Sequence, residues 1–147
     1  MAVTAQMNGQ LLKAMFNGEV DIVGANSVKV MLTTNAYSFD PDTHEYRNSV
    51  TNEVVGTAYV AGGATCANPV LSYDTATNTV KFTCDTPITW ATSTITARRA
   101  VFYVAKGGAS SADNILCVWD FGADESSVGA DFRLNVPGTG LIAGVHN

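Results

Sequence analysis

The sequence predicts a mainly β protein, an antiparallel β-sandwich or jelly-roll-like domain, and three observations carry that expectation. Apolar and polar residues alternate in run after run from Ser27 to Val145, the period-two pattern of strands with one dry face. Turn-forming residues separate these runs at spacings of roughly ten residues, as sandwiches and barrels require. Charged residues make up only 14% of the 147 residues, against roughly 25% in an average soluble protein. Thr, Ser, Asn and 13 Gly take their place, and these types favour strands and turns over helices.

Taken in order, the N-terminal segment predicts a short helix. Met7, Leu11, Leu12, Met15 and Phe16 recur at three- and four-residue steps, with Asn8 as cap and Asn17-Gly18 as stop. Ser27 to Thr33 reads as a strand with Val28, Val30 and Leu32 on one face. Thr34 to Gly56 then lacks strand periodicity, and connections of that length are usually functional or carry structure of their own. Within it, Asp42 and Glu45 form a capping-box-like start for a short helix near residues 42–49, through His44, Tyr46 and Arg47.

Beyond Gly56 strands follow one another. Thr57 to Val60 runs to the Gly62-Gly63 break, and Ala64 to Asp74 turns through Thr75–Asn78 into Thr79 to Asp85, a hairpin with Val80, Phe82 and Cys84 on its dry side. Thr94 to Ala105 is apolar on both faces, with Ile95, Val101 and Tyr103 on one parity and Ala100, Phe102 and Val104 on the other, so it belongs mid-sheet. Ile115 to Phe121 and Gly129 to Val136 read as two strands joined by the acidic, hydroxyl-rich loop Asp124-Glu125-Ser126-Ser127. Leu141 to Val145 closes the series after the turn Pro137–Gly140. Nothing marks a linker or repeat, so residues 1–147 are expected to form a single β-sandwich domain.

Composition removes several functional classes. A formal net charge of -5 offers no footprint for phosphates, so no nucleic-acid partner is expected. No apolar run reaches membrane-spanning length, and the first residues lack the basic and apolar regions of a signal peptide. No membrane partner and synthesis in a cytoplasm are therefore expected. Cys66, Cys84 and Cys117 are odd in number, widely spaced and without a CxxC pair, which points to buried thiols rather than zinc or disulfides.

Catalytic material is thin. His146 is penultimate and is expected to fray; His44 lies in Asp40-Pro41-Asp42-Thr43-His44-Glu45, which reads as a turn and cap rather than a metal cluster. Asp74, Asp85, Asp120 and Asp131 fall at strand ends or on polar parities and read as outward charges, with a glycoside-hydrolysing carboxylate pair as the alternative. Arg98 and Arg99 are adjacent, so a regular strand sends them to opposite faces and they are not expected to form one clamp; an internal bridge to Asp120 or an intersubunit pair would use them. Trp90 and Trp119 read as core rather than sugar platforms. Without a nucleophile elbow or phosphate-binding loop, no catalytic residue, metal or cofactor is expected, and the chain reads as a non-enzyme. Its charge-poor surface resembles the core of an interface, so self-association or docking is expected.

Three stretches carry a resemblance. They are the run from Thr51 to Thr65, the run from Ser93 to Tyr103, and Asp120-Phe121-Gly122 followed by Ser126-Ser127 and Gly129. They resemble, in order and over about Val28 to Leu141, small virion structural proteins of tailed bacteriophages. The sequence departs from that pattern at Cys66, where an aliphatic residue is expected, and at Arg99, where an aromatic one is commoner. The resemblance implies a capsid decoration or cement protein, homo-oligomeric, on the outside of the head and bound to the major capsid protein, in a virion made in the host bacterial cytoplasm. A tail component, a carbohydrate-binding host-recognition module and a jelly-roll hydrolase are the competing readings. Interfaces of roughly 800 Å² per partner are within reach of such a domain. The helix, with Leu12 and Phe16, and the Thr34–Gly56 segment, with Tyr37, Phe39, Tyr46 and Arg47, are the expected partner contacts, because a sandwich does not obviously consume them and aromatic residues dominate hot spots. The alternative for the aromatic residues is that they fold back over the rim of the core.

Overall fold

The computed structural model describes residues 3–24 and 26–145, and side chains only as far as Ile142; His146 lies outside them. The described residues form eight strands and one α-helix. Five strands make one antiparallel sheet in the order β1 (Thr4–Met7), β7 (Ile115–Leu134), β6 (Ile88–Ala105), β2 (Ser27–Thr33), β3 (Ala64–Thr65). Three make a second, in the order β4 (Val70–Asp74), β5 (Thr79–Thr83), β8 (Ile142–Val145). This is the expected mainly β, sandwich-like architecture.

The apolar pattern of the middle strands dictates the layering. β6 lies between β7 and β2, and over residues 100–104 it is buried on both faces. Toward the small sheet, Val30, Leu32, Phe102 and Trp119 join Phe82, Cys84, Leu134 and Leu141 in the main core. On the opposite face Met31, Val101, Tyr103, Ile115 and Val118 form a second cluster, and no sheet covers it. The Thr34–Gly56 segment does so instead, with Tyr37 buried and Phe39 and Val50 packed against the cluster.

That cover is anchored by backbone bonds. Thr34 N–H donates to the Asn52 carbonyl (3.0 Å), Val54 N–H to the Leu32 carbonyl (2.9 Å) and Ile115 N–H to the Glu45 carbonyl (2.9 Å). The same bonds explain why the expected helix near 42–49 shrinks to a single 3-10 turn, Arg47–Ser49. The Asn8 side chain donates to the His44 carbonyl at 2.9 Å and to that of Glu45 at 3.3 Å. The acceptors an α-helix would use are therefore engaged across the fold.

Two strand expectations change with the register. The strands read at Ile115–Phe121 and Gly129–Val136 are one 20-residue strand, β7. The acidic stretch read as their loop pairs with β6, Glu125 opposite Ala97 and Ser126 opposite Thr96, whose hydroxyls meet at 2.8 Å. Phe102 pairs with Cys117 but Tyr103 with Ile115, so Leu116 is an inserted residue. Such a bulge shifts the alternation, which puts Leu116 beside Cys117 in the main core and Ile115 in the second cluster. A second irregularity, between Ala97 and Arg99, places Ile95 on the same side as Ala100 and Phe102 rather than with Val101.

The remaining differences are smaller. Thr57–Val60 contributes only an isolated bridge, Thr57 to Thr94, and Ala64–Asp74 is split into β3 and β4. Gly63 explains the tight approach of this region to β2. With φ +74, a Cβ there would lie 1.8 Å from the Val30 carbonyl oxygen, space only glycine leaves open. The helix α1 spans Leu11–Phe16, and Met7 belongs to β1 rather than to it.

Candidate functional site

The helix carries apolar residues around more of its circumference than one core can absorb. Leu11 and Ala14 are buried, which turns Leu12, Met15 and Phe16 outward. Phe16 is 84% exposed and Leu12 57%. Its start is held by Asn8, whose Oδ1 accepts from Gln10 N–H at 2.8 Å while its amide reaches the cover segment.

Facing the helix is the hairpin of β4 and β5, which overhangs the main core. Leu71 pairs with Phe82 and Tyr73 with Val80 across it, so all four side chains share one face. Phe82 is buried, whereas Leu71, Tyr73 and Val80 are exposed. Between helix and hairpin lies a groove of about 630 Å³, walled by Met7, Leu12, Met15 and Phe16 on one side and Leu71 and Val80 on the other, with Phe82, Leu116 and Ile142 also lining it. The lining holds no acid, base or nucleophile, so its chemistry is the release of water from apolar surface.

The expected contact residues divide. Leu12 and Phe16 open onto the groove. Phe39 is half-buried over the second cluster, and Tyr46 is half-buried where it bridges to Asn114. Arg47 is turned inward: its Nε donates to Asp113 at 2.8 Å and its guanidinium lies 5.2 Å from the centre of the Tyr103 ring. Tyr37 is 1% exposed, which corrects its reading as a surface anchor. Its ring stacks on His44 at 5.7 Å, and their Oη and Nδ1 atoms lie 3.2 Å apart. The physical reason is that β6 is buried on both faces over residues 100–104, and Tyr37 and Phe39 of the long segment help to cover the second one. Met15, Leu71 and Val80 were not expected in the site. Leu71 and Tyr73 alternating opposite Val80 and Phe82 was the available signal, but Val80 read as core because sequence does not reveal how far a hairpin overhangs.

A second concavity, of about 380 Å³, lies on the cover side of the large sheet. Arg98 Nε donates to Asp120 Oδ1 at 2.7 Å, and Arg99 Nη2 lies 2.9 Å from Asp120 Oδ2. The two arginines thus converge on one carboxylate, contrary to the expectation from regular alternation, because the irregularity between Ala97 and Arg99 breaks that alternation. The internal bridge to Asp120 is present. Burial tends to raise the Asp120 carboxyl, but the Arg98 hydrogen bond, the Gly122 N–H and the charges of Arg99 and Arg98 outweigh it and hold the group below the usual carboxylate range.

Other chemistry-bearing residues are occupied structurally. Trp90 lies between Tyr59 (6.1 Å) and Phe132 (5.9 Å), and Trp119 packs on Phe102 at 4.8 Å; both are buried, away from any sugar. Asp131 accepts from Arg133 (2.8 Å) and Thr92 N–H (3.1 Å), and Asp74 from Ala76 N–H (2.9 Å). The three cysteines are free and buried, and burial pushes the Cys117 thiol up. Among the described residues, no three His, Cys, Asp or Glu side chains gather closely enough to hold a metal ion.

Compared with protein-family models, curated proteins and solved structures, the chain finds no match. Its own geometry therefore carries the functional argument.

Proposed function

We propose that this chain is an adhesive structural protein of a tailed-bacteriophage particle, a decoration protein that docks in many copies on the outside of the head and ties major capsid protein subunits together. The open apolar groove carries this reading. Met7, Leu12, Met15, Phe16, Leu71 and Val80 are all exposed around one concavity, and a contiguous apolar surface of this kind marks an interaction site rather than the scattered apolar residues of an ordinary surface.

Two further features support it. The edge strands are nearly uncharged: β1 reads Thr-Ala-Gln-Met with all four residues exposed, and β4 carries a single charge, Asp74. Free monomers usually blunt such edges with lysine or inward charges. A groove and two open edges also provide several separate contacts per copy, and contacts held together in an oligomer gain through effective concentration. The resemblance of the Thr51–Thr65 and Ser93–Tyr103 runs to virion proteins supplies the biological setting.

Purified particles test the proposal directly. Quantitative mass spectrometry should find the chain at a copy number comparable with the major capsid protein, and reconstruction should place it on the outer head with Phe16 against a shell subunit. A few copies only, or density confined to the tail, overturns it.

A further inference from the structure

The cleft on the cover side of the large sheet holds two cations against one anion. Two guanidinium groups meet one carboxylate at Arg98, Arg99 and Asp120, leaving one net positive charge in a chain whose formal net charge is -5. Arg99 is engaged at both Nη groups, Nη1 on the Tyr37 carbonyl and Nη2 on Asp120. Arg98 is not. Among the described residues its only hydrogen bond is made through Nε, and the two Nη groups stay available as a planar fork. Arg98 lines the cleft together with Thr4, Gln6 and Ser38, which offer hydroxyl and amide groups, and with Phe39, which offers an apolar wall.

We propose that this cleft is a carboxylate-binding site in which the Arg98 fork grips the two oxygens of the ligand. A guanidinium fork matches a carboxylate in bidentate geometry, and such bonds are roughly twice as strong as neutral ones. Asp120 holds Arg98 by Nε while Arg99, tied to the Tyr37 carbonyl, holds Asp120 from the other side; both are positioning residues that fix the fork before the ligand arrives, which lowers the cost of ordering it. A volume of about 380 Å³ is at the small end of ligand sites. It suits a small carboxylic acid or one acidic side chain of a neighbouring protein. The Arg133–Asp131 pair is the internal contrast: one cation on one anion at 2.8 Å, largely exposed and with no charge to spare. The proposal holds whether or not the chain decorates a capsid.

The test is an NMR titration of the 15N-labelled chain at constant ionic strength, with sodium acetate in one arm and N-acetyl-aspartate N-methylamide in the other. Saturable shifts of the Arg98 Nε–H and the Gly122 amide are expected, with the Arg133 Nε–H silent. Tighter binding of the blocked aspartate assigns the site to a protein-borne side chain, and equal or tighter binding of acetate to a free acid. Arg98→Lys keeps the charge but loses the fork, and should weaken binding at least tenfold while the fold and melting behaviour persist; Arg98→Ala should abolish it. Linear shifts, equal shifts with sodium chloride or at Arg133, undiminished binding by Arg98→Lys, or tighter binding of inorganic phosphate than of acetate would each overturn the assignment.

Discussion

The second face of the large sheet and the groove between α1 and the β4–β5 hairpin are built from the same kind of residue, yet one is closed and the other open. Over the sheet face, Tyr37, Phe39 and Val50 from the chain's own long segment cover Val101, Tyr103, Ile115 and Val118. At the groove, Leu12, Phe16, Leu71 and Val80 stay in contact with water. An apolar face left open by a chain that covers another one so thoroughly is, under the proposed function, the surface a partner would cover. The contrast also separates stability from adhesion: changes under the cover should unfold the protein, and changes in the groove should leave it folded but unable to dock.

Tyr37→Ala should have the largest effect. It removes the buried keystone of the cover and exposes the second cluster, and a loss of about 3–4 kcal/mol is expected in urea unfolding, as for other large-to-small core changes. Arg47→Ala comes next, because it takes the ionic partner from the buried Asp113 carboxylate, whose Oδ2 accepts from Arg47 Nε at 2.8 Å and whose Oδ1 keeps the Lys106 N–H; about 2–3 kcal/mol should be lost, since the pair is only partly shielded from water. If either variant keeps wild-type stability, the long segment is not a structural cover and the comparison fails.

Alkaline titration sharpens the same point. Burial, opposed by the Arg99 charge, pushes the Tyr37 phenol up to about 12, and burial likewise raises Tyr103 and Tyr59. An unfolded tyrosine releases its proton near pH 10. Between about pH 10 and 12 the unfolded chain therefore binds fewer protons than the folded one, and stability that is complete below pH 10 must fall. Melting temperature against pH should decline over that window, and Tyr37→Phe should flatten the decline.

The smallest effect on stability belongs to the groove. Phe16→Ser should change unfolding free energy by no more than about 0.5 kcal/mol, as exposed substitutions do. The same change should abolish retention on particles in a co-sedimentation assay. A Phe16→Ser chain that stays bound removes the groove from the docking surface, whereas one that unfolds makes the helix part of the core.

The sandwich class and several strand positions were legible in the residues because period-two alternation is local. Ser27–Thr33 is a strand with the bounds its pattern predicts, and the Thr75–Asn78 turn joins two paired strands. The candidate site was half legible. Leu12 and Phe16 stood out, since the apolar N-terminal helix is not obviously consumed by a sandwich. Tyr37 was misplaced, because an aromatic residue in an irregular segment has the same local signature over a core as on a surface.

What the sequence by itself determined is therefore the class of structure, the absence of motifs for common catalytic chemistries, and an apolar excess that must be buried somewhere. Only the tertiary structure decided where. The inserted Leu116 and the break between Ala97 and Arg99 reset which side chains share a face, and with that brought Arg98 and Arg99 together on Asp120. Bulges depend on how two strands distant in the chain are paired, and overhang depends on how sheets are stacked. Neither leaves a trace in local alternation, and both decide which groups stay exposed.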